Sequence, residues 1–367
     1  MQNFTYQFYS TTVSAWDAMY EALSNAQSSV YWEIYIFWDD KVGKKFTELL
    51  NEKAKSGVKI KLVLDAIGSR FMSRATLNTL RTVGVEVLWY NHIYPEWRFG
   101  RWINRLWRRN HRKVLIIDEK VAFVGGVNIA FPATDWYDLH LRIDGDVVKP
   151  LLAEFARTYS SSGGSRVEIK KFLTPELVKN VLSDDIITFI NTSPYFRRTR
   201  RFLKKFYIKA INSAEKEFTV ITPYYIPHRK FLKAIARARK RGVIVNIITP
   251  VRSDHRWLDY MASYFLELSE KLGANIFILP IMNHGKGFLV DDAMGLIGSS
   301  NFTYRSFHSN AEADVLFKDK AMIANFSIIV QRWKEEAAHG YSEVGKKERP
   351  IRSGLLGKIA QHFQDYV

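Results

Sequence analysis

Apolar positions along this chain fall into a pattern that is used twice. Residues 30–37, VYWEIYIF, are a short and nearly continuous apolar run. A stretch of helical period follows and ends EKAKSGVKIKLVLDAIGS (52–69), with a Gly before a second run rich in Val, Ile and Leu. The same order returns in FTVITPYYI (218–226) and RARKRGVIVNIITPVRS (237–253). Strand, amphipathic helix, Gly stop and strand is the signature of a βαβ crossover. Such crossovers favour parallel, buried strands. The repetition predicts two pseudo-symmetric α/β lobes, each a mixed, largely parallel sheet flanked by helices. SSSGGS (160–165) reads as a loop. The expected division is 1–175, 176–338 and a basic, amphipathic carboxyl-terminal tail, 339–367.

Polar residues break these runs in a second repeated pattern. Residues 110–128 read NHRKVLIIDEKVAFVGGVN and residues 283–301 read NHGKGFLVDDAMGLIGSSN. His111, Lys113, Asp118 and Asn128 therefore correspond to His284, Lys286, Asp291 and Asn301. One such match carries little weight, because a His on a strand is usually a satisfied structural residue. Two matches at equivalent places in repeated lobes carry the inference. Side chains alternate along a strand, so each His and the Lys two residues on project to the same side. Two lobes related by a pseudo-twofold axis then bring both pairs into one cleft, the expected active site.

Composition narrows the chemistry. There is no cysteine, which excludes disulfides, thiolate metal sites and cysteine nucleophiles. Lys and Arg outnumber Asp and Glu by 54 to 37, a net charge of +17. That excess points to an anionic partner: nucleic acid, an acidic membrane surface or a phosphate-bearing substrate. MQNFTYQFYS, at the amino terminus, has neither the basic segment nor the apolar core of a signal peptide. No apolar window is long enough to predict a membrane-spanning helix.

The duplicated pattern resembles the phospholipase D superfamily, whose members carry two such HKD motifs, and the resemblance runs from about residue 10 to 335. Three further stretches resemble the bacterial cardiolipin synthases: WEIYIFWDDKVGKKF (32–46), DWYDLHLRIDGDVV (135–148) and YRSFHSNAEADV (304–315). Leu139 and Asp146 depart from the Thr and Pro usual there. The resemblance implies a phosphatidyltransferase that makes cardiolipin from phosphatidylglycerol, alone or with another phospholipid, in two steps through a phosphohistidine. It implies no cofactor and no metal, the two lysines supplying the charge. It makes His111 the nucleophile and His284 the general acid and base. It gives acidic residues at the positions of Asp138 and Glu312 the task of orienting the imidazoles. Asp118 and Asp291, counted with the catalytic set, lie on the opposite strand face and read equally well as loop anchors. Glu33, inside an apolar strand, needs a buried partner such as a cleft Lys or His. The alternatives are a phospholipase D-type hydrolase and a superfamily nuclease acting on nucleic-acid phosphodiesters.

Two stretches mix rings with cations. EWRFGRWINRLWRRNHRK (96–113) carries Trp102, Arg105, Trp107, Arg108 and Arg109, and FRRTRRFLKKFYIK (196–209) carries Arg198, Arg201 and Phe202. The mixture suits anionic lipid at a membrane interface, and equally single-stranded nucleic acid. Because both stretches border the lobes where a lipid would enter, these residues are expected to bind substrate and membrane. The enzyme is then peripheral on the cytoplasmic face of the inner membrane. The tail IRSGLLGKIAQHFQDYV (351–367) has apolar residues at helical spacing and suits docking on the body or lying on a bilayer.

Overall fold

A computed structural model describes residues 4–92, 105–174, 186–195 and 197–341. Two mixed sheets flanked by helices account for most of them. The first contains β1 (Thr5–Thr11), β2 (Ser29–Ile34), β3 (Lys59–Asp65), β4 (Glu86–Tyr90), β5 (Lys113–Ile117), β6 (Val121–Gly125) and β7 (Tyr137–Asp144), in the order β1-β7-β6-β5-β2-β3-β4. The second contains β8 (Ile187–Thr192), β9 (Glu217–Ile221), β10 (Ile244–Pro250), β11 (Asn275–Leu279), β12 (Gly287–Val290), β13 (Met294–Gly298), β14 (Glu312–Phe317) and β15 (Ala338–His339). Its order is β15-β11-β10-β9-β12-β13-β14-β8.

The predicted crossovers are present as parallel pairs, β2 with β3 and β9 with β10. Gly57 and Gly242 end the intervening helices at φ of 95° and 88°, a left-handed conformation that only Gly adopts without strain. The expectation of largely parallel sheets is corrected. Among the described strands only β2-β3-β4 and β9-β10-β11 are parallel, and the remaining pairings in both sheets are antiparallel. The reason is local. Each HKD strand is followed by a tight hairpin, β5-β6 or β12-β13, and a turn this short permits only antiparallel pairing.

The two sheets meet over one shared core, in which Val114, Ile116 and Leu141 pack in the same cluster as Leu289, Ile297 and Val315. On the other sheet faces, Leu115 and Ile117 join the first half's own core, while Phe288 and Val290 join the second half's. β5 and β12 are therefore buried on both faces, which is why each reads as an uninterrupted apolar run. That position also carries the residues just ahead of both strands into the junction between the halves.

Candidate active site

Each HKD segment is stitched to the opposite half of the molecule by backbone hydrogen bonds. The His111 amide donates to the Ala311 carbonyl (2.9 Å), and the Ala311 amide donates to the Arg109 carbonyl (2.8 Å). Symmetrically, the His284 amide donates to the Tyr137 carbonyl (2.7 Å), and the Tyr137 amide donates to Met282 (3.0 Å). Ala311 immediately precedes Glu312, and Tyr137 immediately precedes Asp138. The carboxylates are thereby exchanged: His111 Nδ1 lies 2.9 Å from Glu312 Oε2, and His284 Nδ1 lies 2.9 Å from Asp138 Oδ2. Sequence separation alone, which sets each acid beside the His of its own half, does not reveal this crossing.

The two pairs differ in electrostatics. Burial, then the nearby Lys113, holds His111 well below the usual imidazole range. Burial pushes Glu312 up to about 7, against the pull of Lys113 and of hydrogen bonds from Ser299 and Ser306. His284 is also lowered by burial and by Lys286, but Asp138 works against that shift. Asp138 itself is buried, which would raise it, yet His284 and Lys286 hold it below the usual carboxylate range. The Asp138–His284 pair is thus the better host for an imidazolium. Gly126 supports that pair, because a Cβ there would lie 2.0 Å from Asp138 Oδ1. Ser299 occupies the equivalent position in the second motif and donates to Glu312 Oε2 at 2.5 Å.

Lys113 and Lys286 are buried, and each ammonium donates to the carbonyl of its own motif histidine, His111 and His284 respectively. Burial lowers both. Lys286 further depresses Lys113, which falls well below the usual range, whereas Lys286 comes down to about 8. An arriving anion offsets both effects. His111, His284, Asn128 and Asn301 all line one cavity of about 490 Å³. Tyr35 packs edge-on against His111 at 4.9 Å between ring centroids, and Trp136 lies 5.6 Å from His284. Asn301 Oδ1, Asn310 Oδ1 and Arg305 Nε, on residues of the same lining, are buried without a hydrogen-bond partner among the described residues. Unmet polar atoms beside a cavity are groups that a polar ligand can satisfy.

Other expected site residues lie elsewhere. Asp118 and Asp291 each open a three-residue hairpin connection whose first two residues have φ near 50–60°. Asp118 accepts from the amides of Gln27, Ser28 and Ser29, and Asp291 from those of Glu215, Lys216 and Glu217. They tie the hairpins β5-β6 and β12-β13 to the starts of β2 and β9, far along the strands from the histidines. Glu33 does not meet a cleft Lys or His; its partners are Asn110 (3.0 Å) and Arg112 (3.6 Å).

The membrane-binding assignment is corrected for Arg109, which is 1% exposed and ion-paired with Asp65 at 2.8 Å. A guanidinium buried this way cannot meet a bilayer, although Arg109 belongs to the lining of the cavity that holds both histidines. Trp107, by contrast, is 51% exposed, with the Arg305 guanidinium over its ring. Arg108 lies over the Tyr195 ring and is partly buried, as is Arg105, whose carbonyl accepts from Arg109. Phe202 is partly buried, stacks on Phe206 at 5.9 Å and packs against the second half's core. Trp102 and the tail beyond 341 lie outside the described residues, as do the side chains of Arg198 and Arg201. Tyr35 and Arg305 were not singled out in the sequence, although both fall in stretches with the cardiolipin-synthase pattern.

Comparison with known proteins identifies the family. The family model described as cardiolipin synthase, PLD-like domain, matches residues 19–159 and 207–333. A cardiolipin synthase of Clostridium perfringens strain 13 is 32% identical over 324 residues, which is 84% of this chain; the alignment spans 66% of that protein. The minor cardiolipin synthase ClsB of Bacillus subtilis strain 168 is 33% identical over 361 residues, covering 95% of this chain and 86% of that one. The crystal structure of phosphatidylserine synthase from Haemophilus influenzae superposes with a TM-score of 0.74 over 99% of this chain and 95% of that one, at 13% identity, and so shares the fold. With two repeats matched and relatives aligned along most of its length, the chain belongs to the cardiolipin synthase family of phospholipase D-like proteins.

Proposed function

We propose that this protein is a phosphatidyltransferase that makes cardiolipin from phosphatidylglycerol, alone or with another phospholipid, through a phosphohistidine. The observation that carries the reading is the pair of buried histidines on one cavity, each backed by a carboxylate from the opposite half. His111 is held neutral. With ionised Glu312 accepting the hydrogen bond from Nδ1–H, its Nε2 lone pair is free to attack phosphorus. His284, supported by ionised Asp138, carries the proton that the leaving alcohol takes. Charge builds on the non-bridging oxygens as phosphorus becomes five-coordinate, and Lys113, Lys286, Asn128 and Asn301 supply the cations and amides that stabilise it. In the second step His284 takes the proton of the acceptor alcohol. The alcohol oxygen bonds to phosphorus, and the P–N bond breaks with its electron pair returning to His111. Water in the acceptor's place gives hydrolysis by the same steps.

The substrate places the enzyme at a membrane. No helix among the described residues is long and apolar enough to cross one. We assign a peripheral position on the cytoplasmic face of the inner membrane, with anionic phospholipid as the bound surface. The test is incubation of purified protein with labelled phosphatidylglycerol vesicles, without nucleotide and with a chelator present. Cardiolipin and free glycerol are expected. Cleavage of labelled DNA with no lipid product overturns the reading, and phosphatidic acid alone replaces transferase by hydrolase.

A further inference from the structure

The two halves repeat the same framework but end it with opposite charge. The loop after β3 presents Arg70 to the cavity, and the corresponding loop after β10 presents Asp254. Arg305 acts electrostatically on His111, whereas Asp254 acts on His284 and on Lys286. Asp138 and Asp254 are the carboxylates among the described cavity residues, and Asp138 is committed to His284. Asp254 is 31% exposed. Its Oδ1 accepts from the buried Tyr224 hydroxyl, while Oδ2 lies 3.8 Å from His255 Nε2. A carboxylate is a strange neighbour for a phosphate site unless it serves a different part of the substrate.

Resting on the transferase reading above, we infer that Asp254, held by Tyr224, is the seat for the hydroxyls of the alcohol headgroup on the His284 side of the cavity. A carboxylate only accepts hydrogen bonds, so it selects a group rich in O–H donors and turns away a second anion. The alcohol that leaves and the alcohol that arrives both exchange a proton with His284, so both occupy this seat in turn. In the transfer step the acceptor's reacting hydroxyl gives its proton to His284 and bonds to phosphorus as the P–N bond to His111 breaks. Its remaining hydroxyls lie on Asp254. The seat favours a polyol over a simple alcohol or water, because a site built to pair hydroxyls penalises an acceptor that lacks them. An amino alcohol shares the donor chemistry, and the experiment separates the two.

The experiment partitions one phospho-enzyme between competing acceptors, which makes the product ratio independent of overall rate. Full-length protein turns over bis(p-nitrophenyl) phosphate in mixtures of water with glycerol, ethanol or ethanolamine, and the phosphodiester products are quantified. The expected result is a preference for glycerol over ethanol that falls about ten-fold in Asp254→Asn, the worth of one charge-assisted hydrogen bond. Asp254→Glu is expected to recover part of it, and Tyr224→Phe to shift it in the same direction as Asp254→Asn by a smaller factor. An unchanged glycerol-to-ethanol ratio in Asp254→Asn overturns the proposal. So does a ratio that falls for ethanolamine and not for glycerol. Loss of all turnover in both Asp254→Asn and Asp254→Ser overturns it too, by placing the carboxylate in the phosphoryl step. Wild-type protein that forms no phospho-enzyme from any phosphodiester overturns the transferase reading beneath it, an outcome distinct from the other three.

Discussion

At the scale of single residues, the two motif histidines are equivalent in spacing and unequal in surroundings. Because the Asp138–His284 pair is the better imidazolium and His111 the more firmly neutral ring, the two variants should fail differently. His111→Ala should form no covalent phospho-enzyme on acid quench with labelled lipid. His284→Ala should lack the proton donor and accumulate or slowly release a labelled intermediate. Label retained by His111→Ala and absent from His284→Ala reverses the roles. The pH profile adds a second prediction. Ionised Glu312 keeps the proton on His111 Nδ1, and burial raises that carboxyl to about 7. As pH falls through about 7 Glu312 is protonated, the proton on His111 shifts to Nε2, and kcat/KM falls. Glu312→Gln should lower the rate on the order of 10²-fold or more, and its pH–rate profile should lose that acidic limb. A limb that persists in the variant assigns it to another group. The residues of this site were legible in the sequence because duplication exposes them: His111, Lys113 and Asn128 each have a counterpart. Their electrostatic difference was not legible, since it depends on how deeply each acid is buried and on which imidazole and ammonium it meets.

At the scale of elements, spacing revealed the crossovers but missed the crossing of the carboxylates. Periodicity finds β2, β3, β9 and β10 because each strand's burial is written in its own residues. The pairing of the 309–312 segment with 109–111 is a long-range backbone contact, and no local pattern encodes it. Arg112 fastens that contact from behind. Buried at 1% exposure, it donates to the Glu312 and Thr192 carbonyls of the second half while pairing with Glu154 and Glu33 of the first. Burial would lower its charge affinity, and the two carboxylates more than offset that. Removing one member of a buried charge network leaves the others uncompensated and costs about 3–5 kcal/mol. Arg112→Ala should therefore lower the urea midpoint strongly and lose activity at temperatures where it is still folded, since Glu312 loses its anchor. A variant as stable and active as wild type shows that the sheets align Glu312 without it.

For the whole molecule, the +17 charge and the exposed rings around the cavity predict how it meets lipid. Trp257, itself in the cavity wall, is 56% exposed; Phe71, 54% exposed, packs edge-on against Trp38 of that wall. Trp107 completes the set beneath Arg305. Basic residues contribute about 1 kcal/mol each at an anionic surface, and salt weakens that contribution. Buried rings add an apolar contribution that salt leaves in place. Co-sedimentation should be stronger with anionic than with zwitterionic vesicles and should fall without vanishing at high salt. Combined Phe71→Ala, Trp107→Ala and Trp257→Ala should remove the salt-resistant part. Vesicle binding unaltered by all three places the lipid contact elsewhere. The exchanged carboxylates also act as an interlock during synthesis. A ribosome-bound chain that has completed only its first half holds His111 with no acid behind it and Asp138 with no ring to support. The site is therefore complete only once the halves have docked, each supplying the carboxylate that the other's histidine requires.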